Sequence, residues 1–174
     1  MKAEQPKRKE VLKSFLEKFD ISTLNPMQTE ARKAIYAGND VAGLSPTGSG
    51  KTLAFLLPII ERLDPNISEV QALVLVPSRE LAMQIEQVAR KLGSGFKINA
   101  VYGGRSGALD KADLKHRPAL LIGTPGRIAD RFRRDDIDLT RIKTLVLDEF
   151  DKSLEVGFER EMSEIVRSLG VVEQ

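Results

Sequence analysis

Residues 45–52 read Ser45-Pro46-Thr47-Gly48-Ser49-Gly50-Lys51-Thr52 and follow the short apolar run Val41 to Leu44. In a loop of this composition, backbone N–H groups can converge on phosphate oxygens, a lysine can reach the outer phosphates, and a hydroxyl can hold a metal ion. The strict phosphate-loop (Walker A) pattern has glycine where this chain has Ser45, so the motif departs from the pattern at that position. The stretch predicts a strand, a phosphate-binding loop and a helix in succession.

Lys51 and Thr52 also allow a simpler interpretation, an ordinary glycine-rich turn with a solvated lysine at the start of the next helix. The helix dipole disfavours a cation at that end unless an anion lies beside it. A phosphate bound at the loop is therefore the better explanation of Lys51.

A second string, Asp148-Glu149-Phe150-Asp151, follows the apolar run Thr144 to Leu147. By themselves the first two acids could be an exposed pair in a loop. A buried strand that delivers adjacent carboxylates to the edge where a phosphate loop emerges suits magnesium-dependent hydrolysis, because one acid orients the metal's water shell and the other accepts a proton from water. The two strings together predict a nucleoside triphosphatase.

Short apolar runs alternate with amphipathic stretches along the chain. Periodic Leu81, Ile85 and Leu92 predict a helix with Ser78 as N-cap and Gly93 as its end. Strands without polar alternation suit a mostly parallel, doubly wound α/β sheet that is covered by helices on both faces and binds ligands at the carboxyl ends of its strands. The predicted strands are Val41–Leu44, Ala72–Val76, Ile98–Val101, Ala119–Ile122 and Thr144–Leu147.

Composition limits the class of protein. With 174 residues, 41% hydrophobic and 30% charged, the chain fits one α/β domain over residues 9–174, preceded by a flexible extension at 1–8. The absence of cysteine excludes a disulfide scaffold and a cysteine zinc site. No apolar stretch is long enough to cross a bilayer, so we expect a cytoplasmic protein with no membrane partner. The net charge of +2 does not itself predict nucleic-acid binding.

Gln28 has two interpretations. Asn25-Pro26-Met27-Gln28 fits an N-cap, a proline at the first helical position and a capping-box glutamine. A carboxamide can also bond bidentately to N6 and N7 of adenine, which would select ATP over GTP. The local sequence leaves both open.

Several strand-end segments carry hydroxyls, arginines and helix starts, which suit backbone phosphates rather than base edges. The basic run Arg131, Arg133 and Arg134 is balanced by Asp135 and Asp136 and is interpreted as a solvated helix face outside this surface. The candidate phosphate contacts are Pro77, Arg79, Gly103, Gly104, Thr124, Pro125, Gly126 and Arg127.

The ordered set of motifs resembles the N-terminal RecA-like domain of DEAD-box RNA helicases over roughly residues 9 to 170. That family has a small residue at the position of Ser45. The resemblance implies that Gln28 reads adenine, that Lys51 contacts the β- and γ-phosphates, and that Thr52 binds Mg²⁺. It implies that Asp148 holds Mg²⁺ through water and that Glu149 activates the attacking water. The eight candidate phosphate contacts would then lie along an RNA sugar-phosphate path.

The resemblance further implies a monomer that uses ATP and Mg²⁺, binds RNA without sequence preference and works with a second RecA-like domain. The chain shows neither that domain nor the family's Ser-Ala-Thr motif, so we expect a C-terminally truncated enzyme domain that is not fully active alone. Phe150 replaces the family's usual alanine, and Ile21 and Leu24 replace its usual aromatic and proline. The alternatives are a DNA-directed or protein-remodelling ATPase, or a non-catalytic RNA-binding module.

Overall fold

The computed structural model describes residues 4–46 and 48–174 and contains eight helices and four strands within these ranges. The first helix begins at Glu4, so residues 4–8 of the expected extension are helical, and the boundary at residue 9 stays a prediction. In chain order the elements are α1 (Glu4–Glu17), α2 (Pro26–Tyr36), α3 (Lys51–Arg62), β1 (Ala72–Leu75), α4 (Arg79–Leu92), β2 (Ile98–Val101), α5 (Gly107–Leu114), β3 (Leu120–Gly123), α6 (Pro125–Arg133), β4 (Thr144–Leu147), α7 (Phe150–Glu155) and α8 (Glu159–Ser168).

The four strands form one parallel sheet in the order β2-β3-β1-β4. Ala72 of β1 is in register with Leu120 of β3 on one side and with Thr144 of β4 on the other. Strands β1, β2 and β3 are buried along their whole length, including the polar Asn99 of β2, as expected for strands of a parallel sheet covered on both faces. Four of the five predicted strands are therefore confirmed, with ends that agree to within a residue.

Strand β4 is half-buried, and the end of the chain lies along its outer edge. The backbone N–H groups of Glu173 and Gln174 donate to the carbonyl of Lys143 at 2.8 and 3.1 Å, and the N–H of Leu145 donates to the Gln174 carbonyl at 3.0 Å. This alternation is the pattern of a parallel pair. The last two residues thus extend the hydrogen bonding of the sheet beyond β4.

The predicted strand Val41–Leu44 is wrong. These residues have no regular secondary structure, and Leu44 is fully exposed. An apolar run becomes a strand only where a second strand supplies ladder hydrogen bonds, and the run makes no such bonds within the described residues. The phosphate loop is therefore preceded by an irregular exposed segment, and the prediction that it follows a strand end is not met.

The chain divides into two compact units. The first comprises residues up to 62 together with 88–94, and the second comprises 63–87 and 95–174. The phosphate loop belongs to the first unit, whereas the sheet and the acidic tetrad belong to the second.

In the first unit α2 packs against α3. Arg32 on α2 pairs with Glu61 on α3 at 2.9 Å, and the hydroxyl of Tyr36 also bonds to the Glu61 carboxylate. The side chain of Glu61 is almost completely buried, so these two partners offset its desolvation. The pairing holds the helix that carries Gln28 against the helix that begins at Lys51.

The core of the second unit lies between the sheet and α6 and α8. Its apolar side chains come from β1 and β3, from α6 and α8, and from the segment before β4. Its largest fully buried members include Leu73, Leu75, Leu121, Ile128, Leu139 and Ile142. This packing holds the start of α6, which follows β3 directly, at the carboxyl edge of the sheet. Within residues 4–46 and 48–174, no helix is long and apolar enough to span a membrane.

Candidate functional site

The phosphate loop is a tight turn that depends on two glycines. Gly48 and Gly50 have φ of +81° and +87°, in the left-handed region that glycine enters without steric cost. The hydroxyls of Ser45 and Ser49 lie 2.7 Å apart, and the Ser49 N–H donates to the Pro46 carbonyl at 3.3 Å. Thr47, which was also predicted to contact the nucleotide, lies outside the described residues.

Lys51 is the first residue of α3, and its ammonium lies over the loop. The Nζ atom donates to the carbonyls of Ser45 at 2.6 Å and Pro46 at 3.1 Å. A phosphate oxygen is a stronger acceptor than a carbonyl for an ammonium donor, because both partners then carry charge. Lys51 is therefore held next to the loop by contacts that a phosphate can replace.

Gln28 joins α2 to the phosphate loop. Its Oε1 accepts from the Asn25 N–H at 3.0 Å, the Asn25 side chain accepts from the Gln28 N–H at 2.9 Å, and its Nε2 donates to the Gly50 carbonyl at 3.1 Å. The Asn25 amide also donates to the Ser49 carbonyl at 2.9 Å. The capping box is thus present in the structure.

The hydrogen bonds of Gln28 within the protein do not use all the donors and acceptors of its carboxamide. Its oxygen has two lone pairs and its nitrogen two hydrogens, and the hydrogen bonds above use one of each. The remaining pair is the set that a bidentate contact to adenine requires. The count of donors and acceptors therefore allows both interpretations, although Gln28 is only 5% exposed, and the adenine contact stays a prediction.

The acidic tetrad follows β4 directly. The Asp148 N–H donates to the Leu75 carbonyl at 3.0 Å, which extends the β1–β4 ladder by one residue. Glu149, the N-cap of α7, has φ +49° and ψ +47°, a left-handed conformation that is uncommon and strained for a residue with a side chain. Strain of this kind persists only where the surrounding structure imposes it, so Glu149 is a candidate functional residue on backbone grounds alone.

The side chains of the tetrad are oriented by α7. Glu149 Oε2 accepts from Lys152 Nζ at 2.8 Å, and this hydrogen bond raises the pKa of Lys152. Phe150 is about half exposed. Its ring is therefore not part of the core behind the acids.

Four of the predicted phosphate contacts line one open groove of about 990 Å³ in the second unit, namely Gly103, Thr124, Gly126 and Arg127. The other four do not line it. Of these, Pro125 is buried and Gly104, with φ +86°, lies beside Arg79, whose Nη1 would be 3.7 Å from a Cβ at that position. Arg79 is exposed and bonds to Glu80.

Most hydrogen-bond donors of the Arg127 guanidinium are engaged by other groups of the protein. Its Nε donates to Asp110 Oδ2 at 2.6 Å and its Nη2 to the Arg105 carbonyl at 2.7 Å. The carboxylate of Asp110, on α5, is completely inaccessible to solvent, and its Oδ1 has no hydrogen-bond partner among the residues that the structure describes. Arg127 thus ties the start of α6 to the segment that leads into α5.

The sequence analysis missed Asp110. A signal was present, since Asp110 lies four residues before the buried Leu114 and so shares its face of α5. An isolated acid in a short polar helix nevertheless reads as a surface residue.

The interpretation of Arg131, Arg133 and Arg134 as a solvated face is wrong for Arg131, which is only 4% exposed. Arg131 donates to Asp136 at 2.9 Å and to the Gly107 carbonyl at 3.3 Å, and it also pairs with Asp130. Hydrogen bonds from Arg131 and Arg134 lower the pKa of Asp130 to about 2. Arg133 and Arg134 are exposed as expected, although Arg134 lines the groove.

A family model described as DEAD/DEAH box helicase matches residues 25–174. The chain belongs to the DEAD/DEAH box helicase family. This membership confirms the resemblance predicted from the motifs. With the four parallel strands, it also confirms the α/β RecA-like fold.

Curated relatives share about two fifths of the aligned residues. The chain is 40% identical over 144 residues to the ATP-dependent RNA helicase CshA of Limosilactobacillus reuteri, an alignment that covers 82% of this chain and 29% of that protein. It is 38% identical over 148 residues to two proteins of Escherichia coli (strain K12), the ATP-dependent RNA helicases DeaD and DbpA. Those alignments cover 83% of this chain and 24% and 32% of the respective relatives. The chain thus spans about a quarter to a third of the length of these relatives.

Proposed function

We propose that this chain is the ATP-binding domain of an ATP-dependent RNA helicase. The observation that carries the proposal is Lys51, whose ammonium lies over a loop built on two left-handed glycines in a chain of the DEAD/DEAH box family. The whole enzyme would couple ATP hydrolysis to RNA binding and to local unwinding of duplexes, with a second RecA-like domain completing the site. We propose a cytoplasmic monomer.

Nucleotide binding is proposed at residues 45–52, with adenine read by Gln28. The backbone N–H groups of the loop and the start of α3 favour an anion, and Lys51 supplies the countercharge for the outer phosphates. The hydrogen bonds from Gln28 and Asn25 to the carbonyls of Gly50 and Ser49 support this assignment, because they hold Gln28 directly beside the loop.

Magnesium would be held by Thr52 and, through water, by Asp148, and would neutralise charge on the phosphates when bound. No group of three or more His, Asp or Glu side chains that could hold a metal ion occurs within the described residues. This suits Mg²⁺, which usually takes one or two protein ligands and completes its shell with water and phosphate. Glu149 would accept the proton of the attacking water, and the hydrogen bond from Lys152 orients its carboxylate.

The RNA surface is proposed along the groove and the adjoining Arg79 and Gly104. Thr124 and Gly126 stand at the start of α6, where N–H groups without intrahelical acceptors favour phosphate. Pro77 and Pro125 shape the starts of α4 and α6. The donors of Arg127 are already engaged by Asp110 and Arg105, so its contribution is chiefly to position these segments.

Calorimetric titration of the chain with Mg-ADP and Mg-ATP tests the nucleotide site. We expect Lys51→Ala to lose most of the binding, because it removes the countercharge for the outer phosphates. Lys33→Ala is the matched control, since Lys33 is an exposed lysine of the same unit whose ammonium makes a surface contact with Glu30. Unchanged affinity in Lys51→Ala would refute the assignment of the loop.

A further inference from the structure

The helix that carries Gln28 is joined to α3 by a buried ionic cluster of Arg32, Tyr36 and Glu61. The Arg32 guanidinium donates to both carboxylate oxygens of Glu61, from Nη2 at 2.9 and 3.0 Å and from Nε at 3.2 Å. The Tyr36 hydroxyl donates to Glu61 Oε2, and the guanidinium carbon of Arg32 lies 4.9 Å from the centre of the Tyr36 ring. The Glu61 side chain is 2% exposed, so its carboxylate depends on these donors from α2.

A gain in stability is a weak explanation for this cluster. Burial of two opposite charges costs desolvation on both, and well-packed apolar side chains of similar volume often stabilise a protein equally well. An ion pair of this kind adds direction, because the planar guanidinium meets a carboxylate as a fork of fixed geometry. We infer that the cluster sets the register and the angle at which α2 packs on α3.

Gln28 lies on the same face of α2 as the cluster, since Gln28, Arg32 and Tyr36 are spaced four residues apart. At the start of α3, Gln28 Nε2 donates to the Gly50 carbonyl at 3.1 Å. Gln28 is 5% exposed, so the access of a base to its remaining donor and acceptor depends on where α2 lies. Polar groups that discriminate between ligands need to be held within about 0.5 Å by their supporting contacts.

We propose that Arg32, Tyr36 and Glu61 are positioning residues for recognition of the base, and that they hold α2 in the register at which Gln28 can present its carboxamide to adenine. The inference rests on the proposed function and extends it to residues outside the phosphate loop and the acidic tetrad. Glu61 lies at the opposite end of α3 from Lys51. The cluster therefore influences the choice of base more than the binding of the phosphates.

The test is calorimetric titration with Mg-ADP and Mg-GDP, which carry the same phosphates on different bases. We expect Glu61→Gln, which keeps the size of the side chain and removes its charge, to weaken Mg-ADP binding several-fold and Mg-GDP binding little. Glu30→Gln is the matched control, because Glu30 is an exposed carboxylate of the same helix that meets Lys33 at 3.9 Å. The control should keep both affinities. Equal losses for the two nucleotides in Glu61→Gln, or the same loss of adenine preference in the control, would overturn the inference.

A double-mutant cycle tests whether Glu61 acts through Gln28. In the Gln28→Ala background, Glu61→Gln should cause no further loss of adenine preference, because the group that the cluster positions is already absent. A purely structural role predicts no such dependence on Gln28. A further loss of the same size would show that the two residues act independently and would overturn the positioning role.

An apolar replacement of the whole cluster separates direction from stability. The triple variant Arg32→Met, Tyr36→Phe and Glu61→Leu leaves no charge of the cluster buried without a partner, and we expect it to unfold at a temperature no lower than Glu61→Gln does. It should nevertheless lose adenine preference several-fold, since apolar contacts do not fix the register. Wild-type preference in the triple variant would show that any well-packed contact suffices, and the inference would fail.

The titrations also distinguish this inference from the proposed function. If Gln28→Ala narrows the preference for Mg-ADP over Mg-GDP and Glu61→Gln does not, only the role of the cluster is overturned. If the wild-type chain binds both nucleotides equally well, Gln28 does not read adenine, and this inference fails while the phosphate loop stands. If the wild-type chain binds neither nucleotide, the proposed function fails as well.

Discussion

The buried pair of Asp110 and Arg127 is the residue-level contact on which the groove depends. Removing one member of a buried ion pair leaves the other charge without compensation, which typically costs about 3–5 kcal/mol. Asp110 is completely buried and Arg127 is mostly so. The pair also joins the segment around Arg105 to the start of α6.

We expect Asp110→Asn to lower the free energy of unfolding by about 3 kcal/mol, measured by urea titration. Asp113→Asn is the control, because Asp113 pairs with Arg105 at 2.8 Å but is 41% exposed. Surface pairs contribute about 0–1 kcal/mol, so the control should be nearly neutral. Equal effects of the two substitutions would contradict a structural role specific to Asp110.

The two roles of Gln28 can be separated by comparing it with Asn25. Gln28→Ala removes the capping box and the proposed adenine contact together, whereas Asn25→Ala removes only the capping interaction and a contact to the loop. If Gln28 reads adenine, Gln28→Ala narrows the preference for ATP over GTP by about 1–3 kcal/mol, and Asn25→Ala keeps the preference at reduced thermal stability. If both variants keep the wild-type preference for ATP over GTP, Gln28 has the capping role but does not read adenine.

At the scale of elements, the phosphate loop depends on the conformation of Gly50. Its φ is +87°, and a Cβ there would lie 2.4 Å from Gln28 Nε2. An alanine must therefore displace Gln28 from the Gly50 carbonyl and adopt a strained backbone, at a cost of order 1–3 kcal/mol.

We expect Gly50→Ala to weaken Mg-ADP binding and to destabilise the chain, measured by calorimetry and thermal unfolding. Gly43→Ala is the matched control, because Gly43 has no left-handed φ and a Cβ there would meet nothing within 4 Å. That substitution should leave nucleotide affinity unchanged. If Gly50→Ala bound nucleotide like the wild-type chain, the loop would not be the site.

At the scale of the whole molecule, the proposed reaction needs more cationic groups than the motifs of this chain place at the phosphates. Arginine fingers contribute on the order of 10³–10⁵ to the rate in related triphosphatases. We therefore expect that the 174-residue chain alone neither unwinds a duplex nor hydrolyses ATP at an RNA-stimulated rate, and that single-stranded RNA stimulates ATP hydrolysis by a longer chain with a second RecA-like domain. Robust stimulation of the short chain would show a complete site within it.

In the longer chain, Glu149→Gln should keep ATP bound and nearly abolish turnover. The amide preserves size but cannot accept a proton, so ground-state contacts survive while help in the transition state is lost. Measuring ATP binding and single-turnover hydrolysis on the same preparation would show whether binding is kept while hydrolysis is lost. Wild-type turnover in this variant would remove Glu149 from the catalytic role.

The sequence by itself determined the parallel sheet and the family, because both depend on local patterns. The runs that became β1 and β3 are continuous and apolar, and the helix ended by Gly93 carries its own cap, with the Leu81 N–H donating to Ser78 Oγ at 3.2 Å. The two decisive strings are contiguous segments, so the family that they indicate could be recognised without any tertiary contact. These features were therefore predictable residue by residue.

Only the tertiary structure decided which side chains are buried and paired with other groups of the protein and which are exposed to solvent. Val41–Leu44 has the composition of a strand but no ladder partner, and Arg131 lies in a basic run but is buried against Asp136 and the Gly107 carbonyl. Asp110 and Arg127 are far apart in sequence and meet only when α5 and α6 are packed. Burial, pairing and strand formation all depend on neighbours brought together by folding, so no window of the sequence contains the information that decides them.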